Sequence, residues 1–137
     1  MTSGKATSID EAVRALLARE KTLVLSTASD DGTPIATPLF YYSDANGNLY
    51  WLSSRESRHS VNLSVRPRVA VAVFSPAAHW KDIRGVQMEG QAEAVTDPEI
   101  LVQYRQHLAL GPELDEAIAS STMYVFRPQR WRYVDSL

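Results

Sequence analysis

The stretch "WLSSRESRHSVNL", Trp51 to Leu63, brings together residue types that could hold an anion. A strand-like run ends in serines, and Ser57, Arg58, His59 and Asn62 then fall within about one and a half turns of a helix starting there. Helix N-termini carry unpaired amide donors and a partial positive charge. A phosphate placed there collects several charge-assisted hydrogen bonds. Ser57 could serve as cap and phosphate donor together. Arg58 offers a planar fork of donors. His59 adds a donor and, if protonated, a charge, and Asn62 lies one turn later on a neighbouring face. The plainer reading of the same residues is a solvated first turn. Bare cations there oppose the helix dipole, which tilts the balance slightly toward an anion. Arg66 and Arg68 flank Pro67 and have the duller role of capping carbonyls or sitting in water. Glu56 favours the helix start and nothing more.

Composition bounds the remaining chemistry. The chain has 137 residues, 45% apolar and 22% charged, with a net charge of −2. That is the profile of one soluble domain spanning 1–137, with a real core. The charge argues against broad nucleic-acid or polybasic membrane binding. The absence of cysteine excludes disulfides and thiolate chemistry. His59, His79 and His107 are far apart and show no metal-ligand spacing, so no metal site is expected. No apolar run approaches a membrane span, and the N-terminus lacks a signal-peptide layout, which makes the cytoplasm the default compartment.

Residues 1–7 are small and polar and are expected to be disordered. Ser8, with Glu11 three residues on, reads as a capping box for a helix bearing Val13, Leu16 and Leu17 and ending near Glu20. "TLVLSTA", "IATPLFYYS" and "LYWLS" read as three strands of an antiparallel meander, joined by "SDDGTP" and by "DANGN" with its Asn46-Gly47 turn signal. Pro38 points to an edge position. The helix from Ser57 should stop before Pro67. "RVAVAVF" is apolar on both faces and reads as a central strand, with Ala70 and Ala72 leaving room on one face. A long strand follows through "IRGVQMEGQAEAV". Asp97-Pro98 opens a helix carrying Ile100, Leu101, Tyr104 and Leu108. "ELDEAIAS" is a short second helix, and "TMYVFRPQRWRYVDSL" a strand pair or one bent strand. This order is that of a small closed barrel with helices outside it.

The run from "LVLSTASDDGTPIATPLFYYS" through "NLYWLSSRESRHSVNLSVRPRVAVAVF" to "IRGVQMEG" resembles the pyridoxamine-5′-phosphate-oxidase-like family. The likeness covers residues from about 22 to 95, and it is the ordered set of pieces rather than any single one that carries it. The "SRH" and "IRGVQ" spellings are similar to a small bacterial subgroup with no settled reaction. The resemblance implies a mainly β split barrel with flanking helices, binding FMN at the boundary of a homodimer and acting on a small molecule. It implies that Ser57, Arg58 and His59 grip the FMN phosphate. Relatives often have lysine at the position of His59, so the cofactor affinity is expected to be more sensitive to pH near neutrality. By the same resemblance Thr37, Pro38, Leu39 and Phe40 lie along the flavin ring, and Leu52 and Ser53 beside the ring and ribityl chain. The glutamine with which relatives reach the flavin aligns with Gly85, but Gln87, two residues on and on the same face, is the candidate here. Trp80 and Trp131 are the candidates for contacts from the partner chain.

The residues imply no catalytic triad or carboxylate pair, which fits a cofactor that carries the redox chemistry itself. Catalytic residues are therefore not assigned. The vitamin-B6 oxidases proper place an arginine and a histidine near the C-terminus, whereas this chain ends "RPQRWRYVDSL". They also place a strand lysine where this chain has Tyr42. Both departures argue against pyridoxamine-phosphate oxidation. The expected function is an FMN-binding oxidoreductase-like dimer. The alternatives are a split barrel holding F420, or haem with less support, and a flavin-binding or sensing protein without turnover.

Overall fold

A computed structural model describes residues 2–5 and 9–135 of the chain. Its elements in chain order are β1 (Thr2–Lys5), α1 (Glu11–Arg19), β2 (Thr22–Ala28), β3 (Pro34–Phe40), β4 (Tyr42–Ser43), β5 (Leu49–Ser53), α2 (Arg58–Val65), β6 (Arg68–Phe74), β7 (Gly85–Val95), α3 (Pro98–His107), α4 (Asp115–Ala119) and β8 (Thr122–Val134). The strands form one antiparallel sheet in the order β3-β2-β6-β7-β8-β5-β4, with β1 also on β8.

Several local expectations hold. Tyr42–Ser43 and Leu49–Ser53 form the hairpin around Gly47, which takes φ 81° where a side chain would be strained. β6 lies between β2 and β7, and β3 pairs on one side only, with prolines 34 and 38 on the edge. β8 is one bent strand. A register shift between Glu89 and Gly90 leaves Gln129 as the extra residue opposite them, a bulge that curls the sheet.

Other expectations change. The first three strands do not form a meander: β5 leaves β3 and pairs with the first half of β8, Leu49 opposite Phe126 and Ser53 opposite Thr122. Residues 2–5, expected to be disordered, form β1 on the second half of β8, Gly4 opposite Trp131. Gly4 lets the strand lie on the indole, since a Cβ there would fall 2.8 Å from the ring. Ser8 lies outside the described residues, and Asp10 caps α1 by accepting from the Val13 N–H at 3.0 Å. The ladder does not close into a full barrel either. Its ends, β3 and β4, are separated by Tyr41 alone, and β3 lies against β5 without pairing to it. The result is the split form, mainly β with four helices, and its seam runs between β3 and β5.

The inner face holds Leu23 and Leu25 of β2, Val69, Val71 and Val73 of β6, Val86 and Met88 of β7, and Trp51, Phe126 and Trp131, closed by Val13, Leu16 and Leu17 of α1 and Leu63 of α2. The alternation of these strands therefore buries one face each. Tyr41 is fully buried where the chain crosses the seam, and its hydroxyl donates to the Leu17 carbonyl at 2.7 Å. Burial pushes that phenol well above its usual range.

Candidate functional site

Three groups of residues flank the seam and the outer face of the sheet. The first is the turn between β5 and α2. Ser57 caps α2, but its hydroxyl is engaged inside the turn: it donates to the Ser54 carbonyl at 2.8 Å and lies 2.7 Å from the Ser60 hydroxyl. His59 is 9% exposed, with its ring turned inward. Its Nε2 lies 2.8 Å from Ser53 Oγ and 3.2 Å from Ser57 Oγ. With the Ser57 proton directed at Ser54, the consistent tautomer carries hydrogen on Nε2. That arrangement leaves the Ser53 hydroxyl free to donate elsewhere. Burial holds the His59 pKa below its ordinary value, which keeps the ring neutral.

These contacts revise three expectations. Ser57 caps the helix but has no free proton for a phosphate. His59 orients Ser53 rather than facing an anion, and it gives no charge near neutrality. Asn62 is buried, its amide donating to Thr27 Oγ1 at 3.1 Å, so it ties α2 to β2. Of the predicted anion set, the Arg58 side chain alone is exposed, with no hydrogen bond or ion pair among the described residues. The turn that remains for an anion has the Arg58 guanidinium, the Ser53 hydroxyl, and the first-turn amides of Arg58 and His59.

The second group lines the seam. Thr37 and Leu39 of β3 are half-buried and Pro38 and Phe40 are exposed, while Leu52 and Ser53 of β5 are half-buried, with Leu52 packed on Tyr50, Met123 and Val125. Because Ser53 ends β5 and Ser57 opens α2, the anion turn stands at one end of this seam.

The third group lies on the outer face of the sheet. Paired residues point to the same side, so the register gives two rows across the strands. One runs Pro38, Val24, Ala72, Gln87, Arg132, Ser3, and the other Ala36, Ser26, Ala70, Glu89, Arg130. Small side chains in the middle leave a cleft of 630 Å³, floored by Val24, Ser26, Ala70 and Ala72 and walled by Gln87, Glu89, Arg130 and Arg132. Ala70 and Ala72 thus leave the room that their alternation predicts. Gln87 faces the cleft, but it is three strands from Pro38, roughly 14 Å at the usual strand spacing. It does not join the seam residues of its own chain. Trp131 is 5% exposed and packs in the inner core of its own chain, and it also contributes to the lining of the cleft. Trp80 is 51% exposed, stacked on His79 with Lys81 over its ring.

Sequence reasoning singled out Gln87 but not Glu89, Arg130 or Arg132, which the register sets beside it, Glu89 opposite Arg130 and Gln87 opposite Arg132. Their strand spacing of two was visible, but the register that pairs them was not. Among the described residues no group of three His, Asp or Glu is placed to hold a metal ion, and no helix is long and apolar enough to cross a membrane.

A curled half-barrel sheet open at a seam, with helices packed outside it, is the split-barrel fold. The chain belongs to the pyridoxamine 5′-phosphate oxidase family, whose model matches residues 9–135. It is similar to a pyridoxine/pyridoxamine 5′-phosphate oxidase of Methylibium petroleiphilum, 33% identical over 71% of this chain and 44% of the relative. The chain spans 44% and 60% of the lengths of curated relatives that it matches. Among solved structures it shares its fold with the conserved hypothetical protein Rv2991 of Mycobacterium tuberculosis, at a TM-score of 0.80 and 23% identity over 98% of this chain and 90% of that one. It also shares its fold with an F420 reductase, at a TM-score of 0.71 and 23% identity over 90% of this chain and 98% of that one.

Proposed function

We propose that this chain is an FMN-binding, oxidoreductase-like protein that works as a homodimer. The flavin phosphate is taken by Arg58, the Ser53 hydroxyl and the first-turn amides of α2. The ring lies along the seam, against Thr37 to Phe40. A second copy seated on the outer cleft brings its own Gln87 to this site, because the distance across the sheet keeps Gln87 of the same chain away. The bound flavin supplies two-electron chemistry, drawing on a reduced nicotinamide and reducing a small organic acceptor.

The observation that carries this reading is the exposed guanidinium of Arg58, unpaired among the described residues, at a side-chain-capped helix start placed at the end of the seam. A cation there opposes the helix dipole and is stabilised by an anion. The donor set fits a phosphate: one fork of guanidinium donors, one hydroxyl and two amides, with no carboxylate among them.

Native mass spectrometry of the protein as isolated, repeated after incubation with FMN, tests the reading. A dimer mass with retained flavin is expected. A monomer that takes up no FMN contradicts it, and uptake of F420 in place of FMN replaces the cofactor while keeping the site. Steady-state oxidation of NADH or NADPH by the FMN-loaded protein then separates an enzyme from a flavin-holding protein without turnover.

A further inference from the structure

A second, smaller core lies away from the inner face, where α3 packs against β5 and β8. Tyr50, Met123 and Val125 are buried there, with Leu52, Val95, Ile100 and Leu101 packed on them. The cover is incomplete. Between the start of α3, the end of α4 and the start of β8 a pocket of 410 Å³ remains. Its apolar surface comes from Leu52, Val95, Leu101 and Met123, and Ile118 of α4 closes one side.

The polar groups of the lining are of two kinds. Some are engaged: Asp97 accepts from the Ile100 N–H at 3.1 Å, and Ser121 donates to the Ala117 carbonyl at 2.7 Å. Others are not. Arg55 is exposed and has no hydrogen bond or ion pair among the described residues, and the Thr122 hydroxyl is likewise without a partner. Arg55 and Asp97 are the charged residues of the lining. An apolar cavity with a few fixed polar groups is the usual form of a small-molecule site. We propose that this pocket binds a small apolar carboxylate, with its tail on Leu52, Leu101 and Met123 and its head on Arg55.

The charge pattern selects that class. A guanidinium pairs with a carboxylate through two parallel donors. The Asp97 carboxylate repels an anionic head, so the head is turned toward Arg55, and a singly charged head is tolerated better than a doubly charged one. The apolar lining disfavours polar tails. The site stands whether or not the α2 turn holds a flavin.

Calorimetric titration of the full chain with hexanoate and benzoate, alongside hexanol and benzyl alcohol, tests it. Binding of both acids is expected, with methyl shifts in the NMR spectrum at Leu52, Val95, Leu101 and Met123. Arg55 is exposed, so Arg55→Gln leaves the fold intact. That change should weaken the acids about tenfold, the worth of a charge-assisted hydrogen bond, and leave the alcohols unchanged. Arg58→Ala should leave the acids' affinity unaltered, which separates this pocket from the phosphate turn. Acids that fail to bind at millimolar concentration, that bind Arg55→Gln equally well, or that shift other residues overturn the proposal.

Discussion

His59 Nε2 lies 2.8 Å from the Ser53 hydroxyl, and this bond ties the last residue of β5 to the first turn of α2. It turns a residue that reads as a phosphate contact into one that positions such a contact. The ring is buried and neutral, and two consequences can be measured.

The first concerns stability. Burial lowers the His59 pKa in the folded chain, and His107 is shifted the same way, chiefly by burial. The unfolded chain, with histidines near about 6.5, therefore takes up protons first as the pH falls. The contribution is complete above that value and is lost as the pH drops toward the lower folded values. Urea unfolding at pH 7, 6 and 5 should show stability falling with pH, with a shallower slope in His59→Gln. An unchanged slope in that variant would show that His59 is not part of the effect.

The second concerns ligand affinity. A neutral, inward-facing His59 gives no titrating charge to a bound phosphate. FMN titrations from pH 6 to 8 should follow the protonation of the phosphate itself, with a profile of the same shape in wild type and in His59→Gln. A profile that flattens in the variant would restore His59 as a direct anion contact.

The buried amide of Asn62 and the hydroxyl of Thr27 are joined at 3.1 Å. Asn62→Ala leaves the Thr27 hydroxyl buried without that partner, at a cost of about 1–3 kcal/mol. Thr27→Val with Asn62→Leu removes both groups and should recover part of that loss. Equal costs that simply add in a double-mutant cycle would mean the pair is not coupled.

Gly90 and Gly32 need glycine for different reasons. A Cβ on Gly90 would run into the Arg127 carbonyl and come within 2.9 Å of Pro128 Cα, both backbone atoms at the bulge. Gly90→Ala should therefore cost about 1–3 kcal/mol or more, as overpacking against backbone does. Gly32 has open space around it but φ 84°, so Gly32→Ala should cost roughly 1 kcal/mol from conformation alone. Chemical denaturation of the two variants should rank them in that order.

What was legible in the sequence follows the range of the interactions. β2, β5, β6 and the start of α2 could be read because alternation, turn residues and a capping serine act within a few positions. The pairing of β5 with β8 could not, because Leu49 and Phe126 meet only when the sheet has curled. β1 escaped because four polar and small residues carry no alternation, and β8 supplies what holds them. The anion turn was found by type and spacing, but the inward turn of His59 was not. Its burial depends on Ser53 and Ser57 supplying partners for a polar ring. The pocket beside Arg55 draws on several separate segments of chain and has no local signature.

Recognition of a phosphate by Arg58 and the first turn of α2 is tested most directly by comparing FMN with riboflavin, because the two ligands differ only in that group. Isothermal titration of the wild-type chain and of Arg58→Ala should show FMN bound at least about tenfold more tightly than riboflavin by wild type, as a charge-assisted contact implies. Arg58→Ala should lose most of that preference while keeping its riboflavin affinity and its unfolding midpoint. Equal affinity for the two ligands in wild type, or a preference for FMN that survives in Arg58→Ala, would contradict it.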